Sequence, residues 1–392
     1  MPPYWVACLP VVVPLAIYLL FLGLAANPLV QRNLLYAHKF PPLWWNDINE
    51  PQSWGFAKNQ VTPFSLITAD AETLYAWHIL PLPLYSQHED ELSAQPSGFN
   101  TNIEETLNFR LLSEDPNARL LLYFHGNAGH VAQGYRPAFY HTLTETSAFH
   151  ILAIDYRGFG RSTGSPTEEG LTLDACAAVD WVMRSVGLSP ERIVLLGHSL
   201  GTAVTAAVAE RYAVQGVDFA GVVMVAGFSS LPSMLSGYAI AGWVPVLRPL
   251  KAVPFLLQKV LDFVVDKWDS KQRLRDLVRT VKARDGKLRL HLVHGRNDWD
   301  IPYHEDDELF AAAVNGTVGN ADGMDPRVLA EQKEQRTVRK GEDAFVATWT
   351  EGGIQIRQEL FPTGGHNEVM TYAPVSLAVM RAFQLDRTAD LI

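Results

Sequence analysis

The stretch Gly197-His198-Ser199-Leu200-Gly201 constrains the fold of this chain more than any other segment. It follows the short β-branched run 192–196 and precedes 202–207, which is rich in small residues and compatible with a helix. A Gly-x-Ser-x-Gly pattern between a strand and a helix is typical of a nucleophile elbow, whose turn is so tight that the serine takes a positive φ. Gly197 and Gly201 leave the space that this turn needs. The segment therefore predicts a serine whose Oγ is exposed at the edge of a sheet.

Short apolar runs typical of strands alternate with helix-compatible segments along much of the chain. This alternation predicts an α/β fold with a mostly parallel, doubly wound sheet. An antiparallel pair at 61–66 and 74–80 is expected to precede the parallel strands. The main strands are expected at 119–124, 150–154, 192–197, 221–225, 288–293 and 354–361.

Two stretches fall outside this alternation. Residues from about 229 to 280 are apolar and follow the strand after the elbow helix, so we expect a lid insertion there. The alternative is an ordinary helix that packs on the core. Residues from about 311 to 350 are polar and rich in Gly, Asp, Lys and Arg, which predicts an exposed insertion.

The N-terminal segment carries no charged side chain from Met1 to Gln31. Its apolar run is long enough to cross a bilayer, which needs about 20 residues. A cleaved signal peptide is the alternative because Gly23-Leu24-Ala25 resembles a small-x-small cleavage site, but the basic n-region is missing. We therefore expect a retained single-pass transmembrane anchor at 1–31 and a catalytic domain at 32–392.

The composition indicates which kinds of molecule this protein is expected to bind. Hydrophobic residues make up 48% of the 392 residues and charged residues 19%, a balance that favours a membrane-facing part. The net charge of −10 without a basic cluster argues against nucleic acid. Because the sequence contains no His-Glu-x-x-His, Cys-x-x-Cys or phosphate-loop motif, we expect no metal and no cofactor.

The predicted nucleophile, Ser199, needs an acid and a base later in the chain, since the order in such folds is Ser, Asp or Glu, His. Asp298 is the expected acid because it lies in the loop that leaves strand 288–293, with Asp300 as the first alternative. Further alternatives are Glu305, Asp306 and Asp307.

The base is found by elimination. Only His304 and His366 follow Asp298 in the chain. His304 is too close to Asp298 to turn back and meet it, whereas His366 follows a full strand and Gly364-Gly365. His366 is therefore the expected general base.

The developing oxyanion needs two donors. One is expected to be the backbone N–H of Leu200, which follows the nucleophile, and the other the N–H of Asn127 in the loop after strand 119–124. Gly126 would let that loop approach the serine closely. His125 precedes the nucleophile in the chain and is expected to brace the loop.

Four motifs together resemble the membrane-anchored α/β-hydrolase domain-containing proteins, in particular the twelfth and thirteenth members of that series. They lie at 124–129, 155–164, 197–202 and 294–298. The resemblance extends from about residue 60 to the C-terminus and implies an α/β-hydrolase fold, a single-pass anchor at the endoplasmic reticulum, and hydrolysis of monoacylglycerols or lysophospholipids. The long gap between Asp298 and His366 departs from the family pattern.

The side of the membrane stays open at this point. Arg32 and Lys39 follow the anchor, so the positive-inside rule favours a cytosolic domain. The resemblance to the twelfth member implies a lumenal one.

Together these features predict a membrane-anchored serine hydrolase that cleaves acyl esters of single-chain lipids through an acyl-enzyme. A palmitoyl-protein thioesterase is the alternative, because the same three side chains cleave thioesters. A catalytically silent membrane scaffold is the alternative from another class.

Overall fold

A single mixed β-sheet organises the part of the chain that the computed structural model describes, residues 4–39, 47–240, 244–319 and 323–383. The sheet has ten strands in the order β1-β2-β4-β3-β5-β6-β9-β12-β11-β10, and a separate hairpin pairs β7 with β8. The strands are β1 Val61–Ile67, β2 Thr73–Ile79, β3 Arg119–Phe124, β4 Phe149–Ile154, β5 Ile193–His198, β6 Gly221–Val225, β7 Ala239–Ile240, β8 Val244–Pro245, β9 Leu288–Gly295, β10 Thr337–Arg339, β11 Phe345–Glu351 and β12 Ile354–Phe361.

The six central strands, from β4 to β12 in sheet order, run parallel, whereas both ends of the sheet are antiparallel. The predicted strands are all present. The sheet is mixed and not mostly parallel as predicted, because β1 and β2 at one end and β10 and β11 at the other extend it by antiparallel pairing.

Helices cover both faces of the central strands. On one face lie α7, α8, α11 and α12, and on the other lie α6 and α14. The helices are α1 Tyr4–Ala25, α2 Pro28–Tyr36, α3 Leu82–Gln87, α4 Glu89–Ala94, α5 Leu107–Ser113, α6 Arg136–Thr146, α7 Glu168–Asp180, α8 Leu200–Val214, α9 Leu231–Gly237, α10 Pro254–Asp262, α11 Ser270–Ala283, α12 His304–Gly316, α13 Pro326–Gln335 and α14 Ala373–Ala382.

Strand β3 shows why the central strands are continuous apolar runs. Leu120 and Leu122 belong to the core under α7 and α8, whereas Leu121 and Tyr123 belong to the core under α6 and α14. All four side chains are fully buried. Since successive side chains point to opposite faces and both faces are covered, each position must be apolar.

The pairing of β9 with β12 brings two distant loops together. Gly295 at the end of β9 is paired with Phe361 at the end of β12, so the loops that follow both strands start side by side. The intervening chain forms α12, α13, β10 and β11, and β11 returns antiparallel to β12. Part of the stretch 311–350, expected to be an exposed insertion, is therefore a sheet strand with the buried Ala347. The polar residues around β11 obscure its apolar pattern in the sequence. Helix α13, also in this stretch, buries only Leu329.

The expected lid, 229–280, consists of two different parts. Helix α9, the β7–β8 hairpin and α10 form a surface excursion, and α10 buries none of its residues. From Ser270 onward, α11 packs against α8 and α12 through a buried stripe of Leu274, Leu277, Val278 and Val281. This second part corresponds to the alternative of a core-packing helix. Residues 241–243 of the expected lid lie outside the described residues.

The N-terminal segment forms two helices joined by a sharp bend. The side chain of Asn27 accepts hydrogen bonds from the backbone N–H groups of Leu29 and Val30, which starts α2. Among the described residues, no single helix has the length and hydropathy of a membrane span, but the bent pair Val12–Ala25 and Pro28–Tyr36 reaches them together, at an angle of 98°. Residues 1–3 of the expected anchor lie outside the described part of the chain.

Candidate active site

Ser199 occupies the strained turn that the sequence predicts. Its backbone has φ 52° and ψ −120°, between the end of β5 and the start of α8. A Cβ on Gly197 would overlap the backbone of Gly201, and a Cβ on Gly201 would overlap the carbonyl oxygen of Phe124. Both glycines are therefore required by the close approach of β5, α8 and the end of β3.

Ser199, His366 and Asp298 lie in one hydrogen-bonded line. His366 Nε2 is 2.9 Å from Ser199 Oγ, and His366 Nδ1 is 2.7 Å from Asp298 Oδ2. Because the carboxylate accepts from Nδ1–H, the neutral imidazole presents Nε2 as the acceptor for the serine hydroxyl proton. The structure thus brings together the three side chains expected from the sequence, although Asp298 and His366 are 68 residues apart.

The Asp298 carboxylate is held by further donors. Its Oδ1 accepts hydrogen bonds of 2.9 Å from the backbone N–H groups of Asp300 and Ile301. Burial favours a raised pKa for Asp298, but hydrogen bonds from His294 and His366 outweigh it and hold the pKa below its usual value. Asp298 is therefore ionised at neutral pH.

The side chains considered as alternative acid and base make other contacts. The Asp300 side chain lines an open cavity of about 530 Å³ beside His366. His304 is exposed at the start of α12 and faces Asp307. Glu305 accepts a 2.7 Å hydrogen bond from the N–H of Ser229, and Asp306 faces His294. None of these side chains contacts Ser199 or His366 within the described hydrogen bonds.

The loop after β3 approaches Ser199 closely. A Cβ on Gly126 would lie 3.2 Å from Ser199 Cβ and 2.8 Å from His198 Nδ1, so only glycine fits without a shift. His125 is buried, and its Nδ1 lies 2.7 Å from the Gly126 carbonyl oxygen, as expected for a residue that braces the loop. The Leu200 N–H is the first of α8, where backbone N–H groups have no intrahelical acceptor.

Arg136 fixes this loop and was not predicted. Its buried guanidinium donates to the carbonyl oxygens of Gly126, Asn127 and Ala128 at 3.0, 3.2 and 2.8 Å. In a trans peptide the C=O and the following N–H point in opposite directions. By holding the Gly126 carbonyl, Arg136 therefore also directs the Asn127 N–H. No sequence motif marks this arginine, since its partners are main-chain atoms.

One group of side chains has the spacing of a cation site. Among the described residues, ligand atoms of Asp298, Asp300 and His366 lie within 4.8 Å of one another. The nitrogens of His366 and both oxygens of Asp298 are already engaged in the hydrogen bonds above. The arrangement is that of an acid–base pair, and the expected absence of metal and cofactor stays a prediction.

Comparisons with known proteins agree with the fold. Residues 119–249 match the family model described as alpha/beta hydrolase fold. The chain is 31% identical over 201 residues to Protein ABHD12B of Homo sapiens, which covers 50% of each chain. It is also 31% identical over 179 residues to Lysophosphatidylserine lipase ABHD12 of Gallus gallus, covering 45% of this chain and 42% of that protein.

The chain thus spans about half the length of these relatives. Among solved structures, an alpha-beta hydrolase from Vibrio vulnificus aligns with a TM-score of 0.55 at 14% identity, over 91% of this chain and 94% of that one. At that identity the likeness concerns the fold alone. The chain therefore has the α/β-hydrolase fold and is similar to the α/β-hydrolase domain-containing proteins, with ABHD12B and ABHD12 among its relatives.

Proposed function

We propose that this chain is a serine hydrolase that cleaves acyl esters of single-chain lipids, monoacylglycerols or lysophospholipids. The observation that carries the proposal is the line from Ser199 Oγ through His366 to Asp298. Nothing in a purely structural role requires a strained serine, a histidine and a buried carboxylate in this order.

The reaction follows from these contacts. Ser199 Oγ attacks the ester carbonyl as His366 Nε2 takes its proton, and the proton then passes to the leaving alcohol. Water repeats the sequence on the acyl-enzyme and releases the fatty acid. Asp298 orients His366 and stabilises the imidazolium. The backbone N–H groups of Leu200 and Asn127 are the proposed donors to the oxyanion.

A lipid substrate is supported by the relatives and by the surroundings of the site. One relative is named a lysophosphatidylserine lipase. In this chain, the segment after α1 contacts the proposed oxyanion loop directly: Asn127 Nδ2 donates to the Leu35 carbonyl at 2.5 Å, and the Ala128 N–H donates to the Tyr36 carbonyl at 3.3 Å. A membrane-bound α1 would therefore hold the site next to the bilayer.

The surface excursion at 231–264 is joined to the same N-terminal segment. The Gln31 side chain donates to the Phe263 carbonyl at 2.8 Å and accepts from the Val265 N–H at 3.0 Å. Tyr18 Oη donates to the Val246 carbonyl at 3.0 Å. Phe255 on α10 is 74% exposed and Phe263 is 61% exposed. Exposed aromatic side chains beside an apolar helix favour contact with lipid.

We therefore propose that 1–31 is a retained single-pass anchor and that 231–264 is a lid resting on the membrane. The endoplasmic reticulum is the compartment that the family resemblance implies, and either side of the membrane is compatible with this arrangement.

The substrate is tested with three acyl donors in parallel: monoacylglycerol, lysophosphatidylserine and a palmitoylated peptide. We expect the parent protein to hydrolyse one or both lipids, and Asp298→Asn to lower kcat by about 10⁴-fold through the wrong histidine tautomer. Asp300→Asn is the matched control and should stay within a few-fold of the parent. Cleavage of the peptide thioester alone would favour the thioesterase, and no cleavage of any donor would favour the scaffold.

The variant Phe255→Glu tests the proposed contact between α10 and the membrane. A charge at this exposed position should lower hydrolysis of monoacylglycerol embedded in phosphatidylcholine vesicles relative to hydrolysis of a water-soluble ester. Val214→Glu is the matched control, since Val214 is an exposed apolar residue, 71% accessible, at the end of α8. Equal effects of the two substitutions would contradict a lipid contact at α10.

A further inference from the structure

A buried histidine and a second buried carboxylate lie behind Asp298. His294 is the seventh residue of β9, and Asp306 lies in the first turn of α12. His294 Nε2 is 3.3 Å from Asp298 Oδ2, and its Nδ1 is 3.2 Å from Asp306 Oδ1. The side chains of His294 and Asp306 are at most 1% exposed. The line from Ser199 to Asp298 therefore continues through two more ionisable groups.

The contacts define the protonation of His294. Its Nε2 also lies 3.0 Å from the carbonyl oxygen of Ile301, which can only accept, so Nε2 carries a proton. Nδ1 lies 3.2 Å from Oδ1 of Asp306 without meeting hydrogen-bond geometry, so the two side chains interact as an ion pair. Burial favours a lowered pKa for His294, but Asp306 and Asp298 outweigh it and raise the pKa to about 10.

Asp306 has little other compensation for its burial. Within the described part of the chain, neither of its carboxylate oxygens has a hydrogen-bond partner that meets standard geometry. Its neighbour Asp307 is paired at 2.6 Å with Lys333 and accepts from Gln358 at 2.9 Å. Burial and the neighbouring Asp307 raise the pKa of Asp306, whereas His294 and Lys333 lower it. Because a buried carboxylate without a counter-charge is strongly disfavoured, the His294 imidazole at 3.2 Å supplies the counter-charge for Asp306.

Charge balance gives this arrangement a consequence for the reaction. The Asp298 carboxylate and a cationic His294, taken together, have no net charge. Such a neutral pair would stabilise the His366 imidazolium poorly. Asp306 restores a net charge of one negative unit to the three buried groups. We infer that His294 and Asp306 are positioning residues of the proposed hydrolase: His294 holds the Asp298 carboxylate toward His366, and Asp306 supplies the charge that His294 removes. This inference rests on the proposed function.

The first test measures the parent protein directly. Nitrogen NMR of isotope-labelled histidines should show one imidazolium at about pH 8, since the pKa of His294 is raised to about 10. The signal should be missing in His294→Gln. A neutral His294 ring at that pH would overturn the inference.

The second test is a double-mutant cycle read by the rate of fluorophosphonate inactivation and by kcat and KM. Asp306→Asn should lower both the inactivation rate and kcat by roughly 10- to 100-fold with little change in KM, because it removes the net negative charge. His294→Gln/Asp306→Asn removes both charges and should recover most of that loss. A merely structural role predicts the opposite order, with the double variant at least as impaired as Asp306→Asn.

The outcomes separate this inference from the proposed function. If the parent is not inactivated at Ser199, the proposed function fails. If the parent is inactivated at Ser199 and Asp306→Asn reacts at the parent rate, or if the double variant shows no recovery, the inference about His294 and Asp306 fails alone. Should Asp306→Asn not fold, the NMR measurement on the parent decides.

Discussion

His198 Nε2 donates a hydrogen bond of 2.8 Å to the backbone carbonyl oxygen of His366. The residue just before Ser199 thus holds the main chain of the proposed base. Since the carbonyl accepts from Nε2–H, His198 Nδ1 accepts from the Tyr135 hydroxyl at 2.5 Å. Burial and the nearby His366 lower the pKa of His198 well below its usual value, which keeps this ring neutral.

We expect His198→Phe to lower kcat about 10-fold or more with a small change in KM, because it releases the carbonyl of His366 while the ring volume is nearly kept. Tyr135→Phe is the matched control. It removes only the hydroxyl partner of His198 and should cost less than His198→Phe. Steady-state kinetics on a soluble ester measure both, and a His198→Phe enzyme with parent kcat would refute the role.

Gly126→Ala should abolish most activity. The added methyl would lie 2.8 Å from His198 Nδ1 and 3.2 Å from Ser199 Cβ, so the loop or the serine must shift. A misplacement of the reacting atoms by about 1 Å can lower the rate about 10²-fold. Gly319→Ala, where nothing lies within 4 Å of the new Cβ, should be neutral. Parent-like kinetics of Gly126→Ala would show that the loop is not held against Ser199.

Arg136→Lys should separate loop geometry from charge. Lysine keeps the positive charge but lacks the planar fork, in which Nη2 reaches the three loop carbonyl groups while Nη1 donates to the His130 carbonyl. We expect kcat to fall roughly 10- to 100-fold, as for loss of an oxyanion donor, and the melting temperature to drop. Unchanged kcat in a folded Arg136→Lys protein would mean that the orientation of the Asn127 N–H does not depend on the hydrogen bonds from the Arg136 guanidinium.

The stability of the fold should decrease below neutral pH. His78 and His150 are buried, stacked, and joined by a 3.1 Å hydrogen bond. Burial lowers the pKa of His78 from 6.5 to about 3, and burial together with His78 and Arg192 lowers that of His150. Both rings are neutral in the folded chain, whereas the unfolded chain takes up protons below pH 6.5. Their contribution to stability is thus present above pH 6.5 and is lost as the pH falls toward 3.

At pH 5 this costs up to about 2 kcal/mol per histidine, at about 1.4 kcal/mol per pKa unit. Thermal melts at pH 7.5 and about 5 measure the effect. His78→Leu/His150→Leu should reduce the difference in melting temperature, and His304→Gln, at an exposed position, should leave it unchanged. An identical pH dependence in the double leucine variant would contradict the assignment.

The sequence-based predictions are most successful where function leaves a local pattern. The elbow at Gly197–Gly201, the parallel strands and the loop positions of Asp298 and His366 depend on short segments whose residue types are dictated by tight turns and strand ends. Topology then brings Asp298 and His366 together, because β9 and β12 are neighbours despite the chain between them.

Arg136, His198, His294 and Asp306 could not be assigned these roles in the same way. Each acts through a buried polar contact with another loop, strand or helix, and neither charge nor periodicity marks such a contact in a single sequence. The expected lid boundary at 280 falls inside α11 for a related reason. An amphipathic helix that packs on α8 and an apolar helix that faces outward look alike before the partners are known.

Labelling of the full chain by a fluorophosphonate probe shows whether Ser199 is the nucleophile that becomes acylated. We expect covalent labelling of the parent protein, with the adduct located on Ser199 by peptide mass spectrometry, and no labelling of folded Ser199→Ala. Lipid-ester hydrolysis should disappear in the same variant. Labelling or hydrolysis that persists at the parent level in Ser199→Ala would show that Ser199 is not the nucleophile.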